Sequence, residues 1–154
     1  MKRIVVGIDG SPGATAALRW AVELAAATGA ELQAVTAWQF PYGWVDGYPP
    51  DVERWAQHAE ELARNTVEAA VAAATPADPA SLSRVVIEGP AAKSLITQAK
   101  GADLLVVGTR GRGGFAGLLL GSVSHQCVEH ATVPVAVVPC VDEAGSCGDT
   151  DDPR

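Results

Sequence analysis

Leu104-Leu105-Val106-Val107 contains no polar residue and stops at a glycine. A strand without a polar face must be covered on both sides, as strands are in a parallel sheet flanked by helices. Ile4-Val5-Val6-Gly7-Ile8 has the same character, and Val133–Val138 repeats it around a single proline. Further strands are expected at Glu31–Ala37 and Leu82–Ile87, and helical patterns fill the intervals. Strands alternating with helices imply right-handed crossovers and a parallel sheet. The expected class is therefore α/β, a single domain with an open parallel five-stranded sheet and helices on both faces.

The connections are marked by local signals. Asp9-Gly10-Ser11-Pro12 supplies a turn, a hydroxyl N-cap and a proline at the first helical position. That helix is expected to run to about Thr28, with Leu18, Ala21, Val22 and Ala25 on one stripe and Gly29 closing it. Residues 38–50 (WQFPYGWVDGYPP) read as a surface loop packing its rings over a sheet edge, or as a lid on a ligand. A long helix follows from Asp51 to about Ala74, with Val52, Trp55, Ala59, Leu62, Thr66 and Ala70 at helical spacing. Its other face carries Glu53, Arg54, Glu60, Glu61, Arg64 and Glu68, a solvated surface. Pro76–Pro79 break the pattern, a third helix starts at Gly89-Pro90 and ends near Lys100-Gly101, and a fourth opens at Gly121-Ser122. The domain is expected over residues 2–139, and residues 140–154 read as a disordered acidic tail.

Composition excludes several function classes. A chain of 154 residues with 48% hydrophobic and 19% charged residues is globular and large enough for one core. Its net charge of −7 argues against a nucleic-acid or anionic membrane surface, so any phosphate would be held locally by backbone donors and an arginine or two. No apolar run approaches the roughly 18 residues of a membrane span. No leader pattern precedes the first strand, and three cysteines without framework spacing fit a reducing compartment, so a cytoplasmic protein is expected.

The most informative motif follows the fourth strand: Gly108, two residues, Gly111, nine residues, then Gly121-Ser122. Glycines let backbone N–H groups approach a ligand, and a helix N-terminus adds unpaired donors and a positive dipole, so the segment suits an anion. Rival phosphate motifs fit less well. A Walker A loop needs lysine before its hydroxyl residue, and Leu120-Gly121-Ser122 has none. Gly111–Ala116 matches a dinucleotide fingerprint with alanine last, but the helix starts too late for that geometry. The spacing as it stands resembles the nucleotide-binding signature of the universal stress protein family, in its ATP-binding branch.

That resemblance implies a Rossmann-like sheet with strand order 3-2-1-4-5, which sets strands one and four side by side where the chain reverses direction. Ligands of open α/β sheets bind in such a crevice. Asp9 can brace the first turn, as Asp commonly does where a strand hands over to a helix. The resemblance implies instead that it serves the site through ribose or Mg²⁺, that the backbone around Thr36-Ala37 reads the adenine edge, and that Val107 packs against the base. On the residues themselves, Gly108 leaves room for a ribose, while Gly111 and the amides of Gly121, Ser122 and Val123 can wrap a phosphate chain. Ser122 can also cap the fourth helix, and a side chain at Gly7 would crowd the crevice. Arg110 and Arg112 either neutralise phosphate or are solvated loop residues.

His125, Cys127, Glu129 and His130 invite a metal or nucleophile reading. However, the two histidines diverge by about 140° around a helix, and Cys127 and Val128 are expected to face the core. No base, triad or metal set is legible, so an enzyme is not expected, and the resemblance implies an ATP-binding stress regulator with ATP and Mg²⁺ as ligands. The alternatives are a slow ATPase or phosphotransferase and a sensor of cyclic AMP. A homodimer through strand 133–138 and a protein partner of unknown identity are expected besides.

Overall fold

A computed structural model describes residues 1–39, 52–74, 81–109 and 120–140. The elements are β1 (Arg3–Gly7), α1 (Pro12–Thr28), β2 (Glu31–Trp38), α2 (Val52–Ala74), β3 (Leu82–Glu88), α3 (Ala91–Gln98), β4 (Leu104–Gly108), α4 (Ser122–His130) and β5 (Val135–Val138). All five strands run parallel in the order β3-β2-β1-β4-β5. Residues 40–51 and 141–154 lie outside the described residues, as do the loop and tail readings that fall on them.

The uniformly apolar strands are explained by two cores, one on each side of the sheet. Ile4, Val6, Leu32, Ala34, Leu104 and Val106 pack against α1 and α2 through Leu18, Ala21, Val67 and Val71. Their alternates Val5, Val35, Leu105 and Val107 pack against α3 and α4 through Leu95, Ala99 and Cys127. Period-two alternation thus sends successive residues into different cores, and neither face of the central strands meets water. Burying one such Leu or Val contributes about 1.5–3 kcal/mol.

The local signals are realised as the chain implies. Ser11 caps α1, accepting the Ala14 N–H at 3.2 Å, with Pro12 beginning the helix. Gly29 closes it at φ 67°, a left-handed conformation that costs glycine little. At the amino edge of the sheet, the Asp103 carboxylate accepts N–H groups of Lys2 at 2.6 Å and Arg3 at 2.9 Å. These backbone bonds, Arg3 first and then Lys2, hold the Asp103 carboxyl below the usual carboxylate range. Arg3 in turn donates to the Lys100 carbonyl at 2.7 Å, just past the end of α3.

Helix α2 departs from its expected phase. Its buried residues are Ala63, Val67, Ala70 and Val71, whereas Trp55 and Leu62 are 56% and 54% exposed. The helix is 23 residues long, about 34 Å, while the eight-residue β2 beneath it spans only about 26 Å. The carboxyl-terminal half therefore packs on the sheet, tied at its edge by Glu68 to Arg84 of β3 at 2.8 Å. No residue from Glu53 to Leu62 is buried. Val128 also differs from expectation, being 52% exposed while Cys127 alone turns inward. Among the described residues, no helix is long and apolar enough to cross a membrane.

Candidate functional site

The chain reverses direction between β1 and β4. β1 pairs with β2 on one side and with β4 on the other, so the connections leave this point both ways. Two helix N-termini meet the end of β4 from opposite faces. From one face comes α1, whose Gly13 and Ala14 backbone lies against Gly108; a Cβ there would stand 2.6 Å from the Gly13 carbonyl carbon. On the other side lies α4, held by the Thr109 carbonyl, which accepts the Gly121 N–H at 2.7 Å and the Ser124 hydroxyl at 3.0 Å. Ser124 also reaches the Gly121 carbonyl at 2.9 Å, and the Thr109 N–H donates to Val138 of β5 at 3.0 Å.

These contacts fasten the entry of the glycine segment to its exit, since Thr109 and Gly121 bracket it. Arg110, Gly111 and Arg112 themselves lie outside the described residues. The N-cap position of α4 belongs to Gly121, at φ −70° and ψ 164°, with no side-chain cap. Ser122 is therefore not the cap expected from the sequence but the first helical residue, and it is exposed. Its N–H and that of Val123 belong to the first turn, where a helix has no internal acceptor to offer. Ser124, buried and bonded twice, is a residue that sequence reading missed. Its signal, a third hydroxyl position after the glycine, is too common to single out.

Each of the other candidates acquires a physical setting. Asp9 Oδ1 accepts the Ser11 N–H at 2.9 Å and its hydroxyl at 2.6 Å, so the carboxylate braces the turn that delivers α1. Gly10 in that turn has φ 79°. A Cβ at Gly7 would meet the Leu95 methyls at 2.9 and 3.2 Å and Val107 at 3.6 Å. The space above Gly7 thus belongs to α3, and Val107, 4% exposed, packs in that same core. Gly108 likewise makes room first for the α1 backbone. The neighbours of Gly7 and Gly108 were not visible from the motif, because they come from distant parts of the chain.

The end of β2 offers backbone groups. Pairing of β1 with β2 ends at Gly7 opposite Val35, followed by the Ile8 N–H donating to the Val35 carbonyl at 2.8 Å. Alternate residues turn toward each neighbouring strand, so Ala37 is the next to face β1, beyond its last paired residue. Thr36 beside it is buried, and its Oγ1 finds no hydrogen-bond partner.

On α4, Glu129 lies 3.7 Å from His125 and 3.6 Å from His130, all three exposed. The Cys127 thiol is pushed up to about 11 by burial, so it stays protonated and unreactive at neutral pH.

Comparison with known proteins agrees with this architecture. The sequence profile of the Universal stress protein family matches residues 1–139. A universal stress protein of Mycobacterium tuberculosis is 36% identical over 138 residues, covering 88% of this chain and 46% of the relative. The chain thus spans about half the length of the curated relatives it matches. Among solved structures, universal stress protein UspA from Lactobacillus plantarum superposes with a TM-score of 0.77 at 22% identity, over 89% of this chain and 97% of the other. A universal stress protein solved in complex with cAMP gives 0.58 at 28% identity, over 90% and 97%. The chain belongs to the universal stress protein family.

Proposed function

We propose that this protein binds an adenine nucleotide, ATP with Mg²⁺, where β1 and β4 end, and works as a nucleotide-dependent stress regulator without fast turnover. The observation that carries the reading is the clamp of Gly121 and Ser124 on the Thr109 carbonyl. It fixes the α4 N-terminus beside the end of β4, opposite the α1 N-terminus, so two helix N-termini border one crest. Phosphates fit that crest. The Ala37 backbone, facing β1 past its end, fits the donor and acceptor pair on the edge of adenine. Mg²⁺ would be held mainly by phosphate oxygens and water, with the Asp9 carboxylate as the nearby protein oxygen. Arg110, Gly111 and Arg112 would complete the phosphate contacts.

Regulation would follow from a difference in partner affinity between nucleotide states. The self-partner would be a second copy joined along β5, and a protein partner would read the complex. The runner-up ligand is cyclic AMP, favoured by the 28%-identical structure solved with cAMP. Thermal shift and calorimetry with ATP, ADP, cyclic AMP and NAD test the reading, because a ligand that binds only the folded state raises the melting temperature. ATP ranking first supports it, cyclic AMP ranking first replaces the ligand, and no shift with any adenine nucleotide overturns it.

A further inference from the structure

The projecting half of α2 carries a surface that the sheet does not use. Trp55 and Leu62 are seven residues apart and more than half exposed, with Ala59 between them on the same stripe. This stripe points about 90° away from the side that buries Ala63, Val67 and Ala70, so it does not extend the domain core. Each exposed apolar residue has a charged neighbour immediately before it. Arg54 precedes Trp55, and Glu61 precedes Leu62. Arg54 and Glu61 are both exposed, lie on one flank of the stripe, and form no ion pair among the described residues. The charges on the opposite flank are separate, and Arg64 there is held by Glu60 at 2.9 Å.

A cation beside an apolar residue, repeated seven residues later as an anion beside an apolar residue, is self-complementary. If two such helices lie antiparallel about a two-fold axis between His58 and Ala59, Trp55 of each meets Leu62 of the other. The same register brings Arg54 of each within reach of the other's Glu61. Two apolar contacts and two ion pairs form at once, as an isologous interface requires. A parallel two-fold arrangement would carry the charged flanks to opposite sides of the contact and form neither ion pair.

We propose that the amino-terminal half of α2 is a docking surface for a second copy of this chain, packed antiparallel through Trp55 and Leu62 and set in register by Arg54 and Glu61. The surface is independent of the nucleotide reading. The carboxyl-terminal half of the same helix packs over β2 and β3, toward the sheet edge opposite β5, so the surface does not compete with pairing along β5. A stripe this short makes a weak and salt-sensitive dimer.

Sedimentation velocity at low ionic strength, over a concentration series, tests the interface in a Val137→Pro background that blocks pairing along β5. The expected result is a reversible dimer that weakens about tenfold with Arg54→Glu or with Glu61→Arg alone and recovers when both are combined. Arg54 and Glu61 are exposed, and circular dichroism checks that each variant, the Val137→Pro background included, folds. A strictly monomeric chain, single reversals without effect, or a double variant that fails to recover would each overturn the proposal. Hydroxyl-radical footprinting then identifies the alternative: Trp55 protected in a monomer would assign the stripe to residues 40–51 of the same chain.

Discussion

Gly108 and Gly13 meet backbone to backbone: a methyl group on Gly108 would stand 2.6 Å from the carbonyl carbon of Gly13 and 2.7 Å from its oxygen. Neither atom can swing aside, because both belong to the first turn of α1, whose cap and proline fix its start. Gly108→Ala should therefore push α1 off the sheet and destabilise the fold by about 1–3 kcal/mol, the usual cost of overpacking. Gly108→Val should cost more. Gly7→Ala makes the useful contrast, since the close contacts of its Cβ would be the methyls of Leu95, which can rotate, with Val107 at ordinary van der Waals distance. Denaturant unfolding of the three variants checks the order, and a Gly108→Ala variant as stable as the parent would show that α1 is not seated where described.

The two serines at the start of α4 should separate binding from stability. Ser122 is exposed at the first helical position, so Ser122→Ala should leave the melting temperature nearly unchanged while weakening nucleotide binding severalfold through a lost phosphate donor. Ser124→Ala removes a hydroxyl donated to the Thr109 and Gly121 carbonyls and should cost about 1–2 kcal/mol of stability. Combining Gly121→Ala with Ser122→Ala should lower affinity further by blocking close backbone approach. Calorimetry on folded protein decides, and an unaltered affinity in the double variant would remove the α4 N-terminus from the site.

Acid stability should carry a contribution from Asp103. Its folded-state pKa is depressed by the Arg3 and Lys2 N–H groups, so the folded protein binds fewer protons there than the unfolded chain does. The contribution is present above the unfolded carboxylate value of about 3.9 and is lost as pH falls through the lower folded value. Asp103→Asn should lower the melting temperature at pH 7 and leave it nearly equal to that of the parent at the acid end. The group is exposed, so the difference should be modest. Parallel melting curves for the two proteins between pH 2 and pH 7 would contradict the assignment.

Much of the scaffold was legible because its signals are local. Ser11, Pro12 and Gly29 fix the ends of α1 from within a few residues, and the all-apolar Leu104–Val107 requires cover on both faces wherever it lies in the sheet. What stayed hidden depends on distant partners or on lengths. Gly108 is a glycine because of Gly13, and Gly7 faces Leu95, neither of which the motif's spacing encodes. The phase of α2 was misread because alanines surround its stripe, so two faces have helical spacing. Contact with Leu32 and Leu82 fixes the face of Val67 and Val71, turned well away from that of Trp55 and Leu62, and the sheet ends short of the amino-terminal half.

Turnover should separate a binding protein from an enzyme. Asp9 is turned to Ser11, the Cys127 thiol is buried and protonated, and His125 and His130 lie exposed on α4. With no group among the described residues placed to activate water, ATP hydrolysis should stay far below the typical enzyme rate of about 10 per second. A clean preparation exceeding about 1 per second, with the rate lost in Asp9→Asn, would establish the enzyme reading.

Pairing along β5 is testable because the direction of its backbone groups is known. The Pro134 and Val138 carbonyls accept from Leu105 and Thr109 of β4, so these residues turn inward to the sheet. Alternation then turns Val135 and Val137 outward, leaving their N–H and C=O groups along the sheet edge. The strand Val135–Val138 has no charged residue to discourage pairing, and an antiparallel match with a second copy would satisfy both edges about a two-fold axis. Val137→Pro removes one outward donor without touching the bonds to β4, and proline is tolerated on an edge strand. It should abolish this dimer and lower the melting temperature of the monomer only modestly, since the Val137 side chain packs partly buried against the second core. Light scattering in an Arg54→Glu background isolates the edge from the α2 surface. A dimer that survives Val137→Pro there would exclude β5 as the interface, and a monomer already present before the substitution would exclude it equally.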